Sequence, residues 1–239
     1  MSNSTMIAPR ARKTTFLVQG TNEILMPHSA QTFAGFRAWT RSDEFPDRGR
    51  ISFIHSEIII DMSGEELNKH GQVKFEISRV IGNQIVKLDL GKFFPDRTRV
   101  VNDRASVSNE PDATFASWDA LRTGRVRLVP HSEEPDSYME LEGTPDWVLE
   151  IVSDSSVRKD TKLLRTAYHR AGIPEYWLVD ARGESIDFQL LVLESAKYVN
   201  APRRGKWQES AVFNRLVQLH RKRDRMGYWT YQLKLKRIP

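Results

Sequence analysis

The segment "TPDWVLEIVSDSSVRKDTKLLRTAYHRAGIPEYWLVDAR", residues 144–182, contains three hydrophobic patterns in succession. Its first part, "DWVLEIV", and its last part, "EYWLVDA", are short apolar runs of strand length. Between them, "SSVRKDTKLLRTAYHRAG" spaces its apolar residues at helical intervals and ends near Gly172, a residue type that favours helix ends. A strand, a helix and a second strand in this order predict an α/β fold.

The flanking sequence extends this pattern. A short amphipathic helix is predicted in "AQTFAGFRAWTRSDEFPDRG", two strands with a tight turn in "RISFIHSEIIIDMS", and a long helix in "SGEELNKHGQVKFEISRVIGNQI". Ser63 and Glu66 have the spacing of a capping box at the start of the long helix. Further short strands on both sides predict an α/β sandwich with a central mixed β-sheet flanked by helices.

The composition excludes several classes of site. The chain has 239 residues, enough for one large domain, and no cysteine, which excludes thiolate nucleophiles, thiolate metal sites and disulfides. The absence of cysteine fits a reducing compartment, so a cytoplasmic location is expected. No apolar stretch approaches the roughly 20 residues of a membrane span, so no membrane partner is expected.

The positive charge is concentrated at one end. The whole chain has a formal net charge of +5. Residues 196–239 alone contain twelve Lys or Arg residues and only two acidic residues. Such a basic end, interleaved with aromatic residues, could follow a phosphate backbone. Strict alternation in "GYWTYQLKLK" instead assigns Trp229 and Tyr231 to a buried strand face. We therefore expect a flexible basic leader (1–20), a main domain (21–195) and a basic C-terminal strand extension packed on that domain (196–239).

Carboxylates on short strands are the candidate chemical groups, because the common nucleophile, phosphate-loop, dinucleotide and zinc-protease motifs are absent. Asp146 and Glu150 share a strand face but lie about 13 Å apart, too far to share one ion. Asp112, in "NEPDATFAS", belongs to another strand that can lie beside Glu150. This pair predicts a Mg²⁺ or Mn²⁺ site, with the Ile151 carbonyl as a third ligand. An ordinary turn role for Asp112 is the alternative.

Residues 144–182, the earlier "EPD" and the helix bearing His70 resemble the Uma-two family of restriction endonucleases, members of the PD-(D/E)XK superfamily. The similarity covers roughly residues 45–195 and implies a restriction-endonuclease-like core. In that core Asp112 and Glu150 match the paired acids.

The resemblance also implies an activity and its partners. Glu66 and His70, one helical turn apart, match family positions that face the site, where either would orient water or a second ion. The implied reaction is Mg²⁺-dependent or Mn²⁺-dependent hydrolysis of phosphodiester bonds in DNA. No small-molecule cofactor is expected, and a homodimer is left open.

The lysine of the superfamily motif is displaced in this sequence. Val152 occupies its usual place, two positions after the acid. The family commonly carries the lysine on the next helix, midway between an aspartate and a tyrosine; Asp160 and Tyr168 keep that separation, but Leu164 lies between them. Lys162 would lie near 200° from Asp160 on a regular helix. It is the candidate catalytic lysine if the first turn is irregular, and an ordinary solvated residue otherwise.

Two other functions stay open on the residues alone. The first is a catalytically weakened or inactive nucleic-acid-binding module on the same fold, suggested by Val152 and Leu164 at the lysine positions. The second is a glycoside hydrolase, since such enzymes also use two carboxylates. The carboxylate pair permits the second function, whereas the family resemblance does not.

Overall fold

A computed structural model describes residues 13–18, 22–130 and 136–239. Much of the expected leader therefore lies outside the described residues. The part of it that is described, Lys13–Val18, is a strand that pairs antiparallel with Asn22–Pro27.

The helices of the described residues are α1 (Phe33–Thr40), α2 (Gln72–Leu88), α3 (Trp118–Arg122) and α4 (Arg165–Ala171). A 3-10 turn, His28–Gln31, precedes α1. Two π-helical segments, Leu67–Gly71 and Lys159–Leu164, run directly into α2 and α4. None of the helices in the described part of the chain is both long and apolar enough to cross a membrane.

The strands of the described residues are, in chain order, β1 (Lys13–Val18), β2 (Asn22–Pro27), β3 (Arg50–Ile54), β4 (Glu57–Asp61), β5 (Gly91–Pro95), β6 (Arg99–Asn102), β7 (Val107–Asn109), β8 (Ala113–Ser117), β9 (Val126–Pro130), β10 (Tyr138–Gly143), β11 (Trp147–Ile151), β12 (Glu175–Asp180), β13 (Asp187–Leu193), β14 (Tyr198–Asn200), β15 (Arg203–Arg204), β16 (Trp207–Ser210), β17 (Arg215–Arg223) and β18 (Trp229–Arg237).

These strands form two large sheets and two smaller ones. The first large sheet has the order β4-β3-β7-β6-β10-β9, in which β6 and β10 are parallel. The second has the order β14-β13-β12-β11-β8-β5, in which β11 and β12 are parallel. Because the remaining pairs in both are antiparallel, both sheets are mixed. The predicted α/β class with a mixed sheet and flanking helices is confirmed, with a second sheet of equal size added.

The second large sheet is buried on both faces. Trp147, Leu149 and Ile151 of β11 pack with α2 and with the four-stranded sheet β15-β16-β17-β18. Val148, and Val152 just beyond the strand, pack with α4. Since alternate strand residues point to opposite faces, Glu150 lies on the α4 side. The predicted inward face of β18 is likewise confirmed, since Tyr231 and Leu233 are buried in the same core.

The predicted hairpin is present as β3 and β4, but the predicted capping box is wrong. Glu66 is itself the N-cap, and its carboxylate accepts hydrogen bonds from the amides of Lys69 and His70. The Ser63 hydroxyl instead donates to Asp61 at 2.6 Å. The helix therefore begins at Leu67, three residues after the start that a Ser63 cap would give.

Candidate active site

Glu150 is held at the junction of the two large sheets. Its side chain is 2% exposed, and its Oε1 accepts hydrogen bonds from the Tyr168 hydroxyl at 2.6 Å and from Asn109 Nδ2 at 2.9 Å. Asn109 also donates to the Tyr168 oxygen and accepts from the Ser52 hydroxyl at 2.7 Å. The first sheet, the second sheet and α4 together fix the orientation of this carboxylate.

Asp112 lies directly beside Glu150. Its amide donates to the Leu149 carbonyl at 3.0 Å, and its Oδ2 accepts from the Ile151 amide at 2.7 Å. Because Leu149 and Ile151 flank Glu150, the structure brings the two predicted acids together. The contact from Ile151 is made by its amide; its carbonyl as an ion ligand stays a prediction.

Asp146 takes part in a different set of contacts. Its carboxylate accepts from the Ser117 amide at 2.7 Å and pairs with Arg125. These bonds join the start of β11 to the end of β8 and to the loop before β9. Asp146 therefore has a structural role, in agreement with its separation from Glu150 along the strand.

Asp112 is surrounded by cationic groups of the chain. Its Oδ1 is 3.8 Å from both Arg50 Nη2 and Lys74 Nζ, and its Oδ2 is 3.5 Å from His70 Nε2. Burial alone would raise the pKa of Asp112, but the hydrogen bond and charge of His70, with the charges of Arg50 and Lys74, hold it below its usual value. Asp112 is therefore ionised at neutral pH.

His70 bridges two carboxylates. Its Nε2 faces Asp112, and its Nδ1 is 3.1 Å from Glu65 Oε1. Burial lowers the pKa of His70, but Asp112 and Glu65 reverse this and the net shift is upward. The structure thus places His70 at the acids, whereas the Glu66 carboxylate is occupied by the backbone amides that it caps.

Lys159 also lies near the acids, although no pattern in the sequence indicated it. It lies in the π-helical segment before α4, with a side chain 11% exposed and Nζ 3.4 Å from Asp160 Oδ1. Burial disfavours its ammonium form, but the charges of Asp160, Glu150 and Asp112 outweigh this and raise the pKa of Lys159. A charged lysine therefore faces three buried carboxyl groups.

Those carboxyl groups repel one another. Burial raises the pKa of Glu150 well above its usual value; Lys159 opposes this shift, and Asp160 and Asp112 reinforce it. Burial likewise raises the pKa of Asp160 to about 6, although Lys159 and the Ser156 hydroxyl favour its ionised form. Strongly perturbed pKa values in one cluster are typical of functional sites.

Lys162 lies on the exposed side of the same helix, whereas Leu164 is buried in the core with Val152. The structure therefore places Lys159, and not Lys162, at the acids. The projection at 100° per residue assumed a regular α-helix, but this turn closes its hydrogen bonds from i to i+5 and has a different spacing. The available signal was the position of Lys159 next to Asp160, the aspartate that the family pattern already singled out.

A cavity of about 580 Å³ gives access to this region. Its lining includes Arg50 and His70, which contact Asp112, and Val152, which follows Glu150 by two residues. Lys69 and Arg182 contribute further positive charge to the lining. The same lining also contains five acidic residues, Asp61, Glu65, Glu66, Asp96 and Asp154, so the cavity has mixed charge.

A divalent cation fits the donor chemistry of this cluster. Among the described residues, no group of three or more His, Asp or Glu side chains is arranged to hold a metal ion. Asp112 and Glu150 nevertheless provide two adjacent carboxylates, and Mg²⁺ commonly takes only one or two from a protein and completes its shell with water. Asp160 adds a third buried carboxyl group nearby, and its Oδ1 lies 3.4 Å from the Lys159 ammonium.

Fold and site together define an α/β protein with buried acids and a buried lysine where two mixed sheets meet. The sequence model of the Uma2 family, described as "Putative restriction endonuclease", matches residues 33–220. The chain belongs to this family.

Comparison with other proteins adds one structural likeness. A protein from Anabaena variabilis ATCC 29413, described as "a putative nuclease belonging to DUF820", is 17% identical, with a TM-score of 0.47. The match covers 72% of this chain and 89% of that one. No curated protein matches the sequence.

Proposed function

We propose that the chain is an endonuclease that hydrolyses phosphodiester bonds in DNA with a bound Mg²⁺ or Mn²⁺ ion. The observation that carries this proposal is the convergence of Asp112, Glu150 and Lys159. Asp112 precedes β8, Glu150 lies in β11 and Lys159 lies in the π-helical segment, so three separate parts of the fold bring a buried lysine to two buried acids. Membership of the Uma2 family supports the same reaction class.

Asp112 and Glu150 would hold the ion, with the Ile151 carbonyl as the third protein ligand. The ion supplies a bound water of lowered pKa and neutralises charge on the phosphate. Tyr168 and Asn109 orient the Glu150 carboxylate through their hydrogen bonds to Oε1. Groups that fix a ligand in this way are important for ion affinity.

Lys159 is the group that would face the substrate phosphate. Its raised pKa keeps the ammonium charged, and a fixed positive charge stabilises the negative charge that builds on the phosphate during attack. His70, held between Asp112 and Glu65, is better placed than Glu66 to orient an attacking water. Glu66 keeps its capping role.

The alternative of a non-catalytic DNA-binding module rested on the missing lysine. Lys159 supplies a buried lysine at the acids, so the geometry favours the enzyme. The module alternative predicts retention of DNA without cleavage, and this outcome can be separated from catalysis.

The test uses supercoiled plasmid incubated with purified protein and Mg²⁺ or Mn²⁺. We expect nicked or linear product from the wild type, and loss of at least about 100-fold in rate for Glu150→Gln and Asp112→Asn. Asp119→Asn, a change at an exposed carboxylate, is the matched control and should cleave at the wild-type rate. If wild type and Glu150→Gln leave the plasmid equally intact while both retard it on a gel, the module alternative holds.

A further inference from the structure

The hairpin of β17 and β18 ends in a turn that is firmly fixed by its own hydrogen bonds. Asp224 Oδ1 accepts from the amides of Met226 at 2.8 Å and Tyr228 at 2.9 Å. The Asp224 amide donates to the Tyr228 carbonyl, and Gly227, with φ of 85°, allows the chain to reverse. The turn follows residue 220, where the match to the family model ends.

This turn presents apolar side chains to solvent. Met226 is 71% exposed and Tyr228 is 62% exposed. An ordered turn that displays a methionine and a tyrosine gains no folding stability from them. The two side chains lie two residues apart in the same fixed turn and form a small apolar patch at the tip of the hairpin.

The turn and the end of the strand that leads into it are basic. Lys222, Arg223 and Arg225 are exposed, and the carboxylate of Asp224 is occupied by the two turn amides. The Arg223 guanidinium lies 3.5 Å from the centre of the Trp229 ring and donates to the Gly227 carbonyl at 3.0 Å. The cationic side chains therefore flank the apolar ones, and the hairpin that carries both is already ordered.

The hairpin is attached to the rim of the active-site cavity. Arg221 contacts the same Trp229 ring at 4.1 Å and donates to the carbonyls of Ala181 at 2.9 Å and Gly183 at 2.5 Å. Arg182, between these two residues, lines the cavity. A ligand that occupies the cavity and extends past Arg182 would meet the hairpin next.

We propose that the tip of this hairpin is a duplex-binding element that enters the minor groove of DNA, with Met226 as a wedge at a base step. Proteins that bind this groove insert apolar side chains, methionine among them, between base steps and hold the flanking phosphates with Lys and Arg. Lys222 and Arg225 contact those phosphates, and Tyr228 packs beside the wedge. The choice of DNA as partner rests on the proposed function, whereas the groove-binding tip is additional to it.

Charge and size favour a nucleic acid over other partners. Three exposed cationic side chains around two apolar ones match a polyanion with a narrow apolar interior. A protein partner would require a larger apolar surface than Met226 and Tyr228 provide. An anionic membrane surface shares the phosphate chemistry, so it is included in the test.

The test measures binding in EDTA, so its result does not depend on hydrolysis. Fluorescence anisotropy of a short labelled duplex gives the affinity, and 2-aminopurine in the duplex reports unstacking by increased fluorescence. We expect Met226→Ser to weaken binding about tenfold and to abolish the 2-aminopurine signal. In the double variant Lys222→Gln, Arg225→Gln, the negative slope of log affinity against log salt should become shallower by about two. The unstacking signal per bound complex should be unchanged.

The matched control carries Val86→Ser and Lys87→Gln, at the exposed far end of α2, roughly 25 Å along the helix axis from His70. It should bind and unstack like the wild type. Equal affinity and equal 2-aminopurine signal for Met226→Ser and wild type would overturn the inference, as would flotation of the protein with phosphatidylserine vesicles without duplex binding. Normal duplex binding with no plasmid cleavage would refute only the proposed hydrolysis.

Discussion

Lys159 Nζ lies 3.4 Å from Asp160 Oδ1 within one π-helical segment, and the charges of both residues act on the buried Glu150 of β11. On a regular helix, neighbouring residues diverge by about 100°. In the π-helical segment the lysine and the aspartate are nevertheless both buried and in contact. Such turns are frequently found at functional sites.

Replacement of this lysine is the most direct test of its role. Lys159→Met keeps the aliphatic length and removes the charge, so we expect plasmid cleavage to slow by about 100-fold. Lys162→Met, three residues away on the exposed side of the helix, should cleave within about twofold of wild type, a range that surface changes rarely exceed. Equal rates for wild type and Lys159→Met would assign the lysine a structural role only.

Tyr168→Phe removes one of the two hydrogen bonds that orient Glu150. We expect the Mg²⁺ concentration for half-maximal cleavage to rise about tenfold, because outer-shell partners of a metal ligand typically have effects of this size. Tyr198→Phe is the matched control: this buried tyrosine donates to the Ile173 carbonyl at 2.6 Å, outside the site. It should lose about 1 kcal/mol of unfolding free energy and keep the wild-type Mg²⁺ dependence.

Asp146→Asn tests whether Asp146 has a structural role while Asp112 has a role in cleavage. Its carboxylate holds Arg125 and the Ser117 amide, so its loss should lower the free energy of unfolding by about 2 kcal/mol. Cleavage at saturating Mg²⁺ should be unchanged at a temperature where the variant is folded. Asp112→Asn should show the opposite result, with cleavage lost; loss of cleavage in folded Asp146→Asn would contradict the assignment.

Glu175 predicts a pH dependence of stability. This buried carboxylate accepts from Trp177 Nε1 at 2.6 Å and from the Ser210 hydroxyl at 2.7 Å, and burial raises its pKa to about 7. In the unfolded chain a glutamate has a pKa of about 4.3. Because the folded state holds this proton more tightly, the contribution of Glu175 to stability is fully present below about pH 4 and is lost as pH rises to about 7.

Glu175→Gln keeps the acceptor oxygen and cannot ionise. Denaturant unfolding should therefore show the wild type losing about 3 kcal/mol relative to this variant between about pH 5 and about pH 8. Glu184→Gln, an exposed change, should follow the wild type at every pH. Parallel pH profiles for wild type and Glu175→Gln would show that the buried carboxyl titrates as it does in the unfolded chain.

Local patterns in the sequence were sufficient for most of the elements near the site. The apolar runs around Glu150 and Trp177 predicted β11 and β12, and the helical spacing before Gly172 predicted the helix between them, which is present as a π-helical segment and α4. The pairing of Asp112 with Glu150 was also predicted, because the chain between them is long enough to bring Asp112 beside the strand that carries Glu150. The strand and helix predictions depend on the spacing of apolar residues along the chain, because that spacing indicates which side chains share a face.

The remaining features depend on contacts between distant segments. Ser63 fits the capping pattern, but its hydroxyl bonds to Asp61 instead. It also lies 3.0 Å from the hydroxyl of Ser155, a residue 92 positions further along the chain. The π-helical segment that contains Lys159 cannot be distinguished from an ordinary α-helix by the spacing of its apolar residues. Asn109 is 41 residues from Glu150 along the chain, and nothing in "VSN" predicts their hydrogen bond.

The bond from Asn109 to Glu150 has a mechanical consequence, because β7 and β11 belong to different sheets. The geometry of the acid depends on how the two sheets are aligned. A small slip between them would reorient Glu150 before either sheet loses its own ladder of hydrogen bonds, since parts of a protein can open separately at lower free energy than global unfolding. Warming should therefore inactivate the protein before it melts.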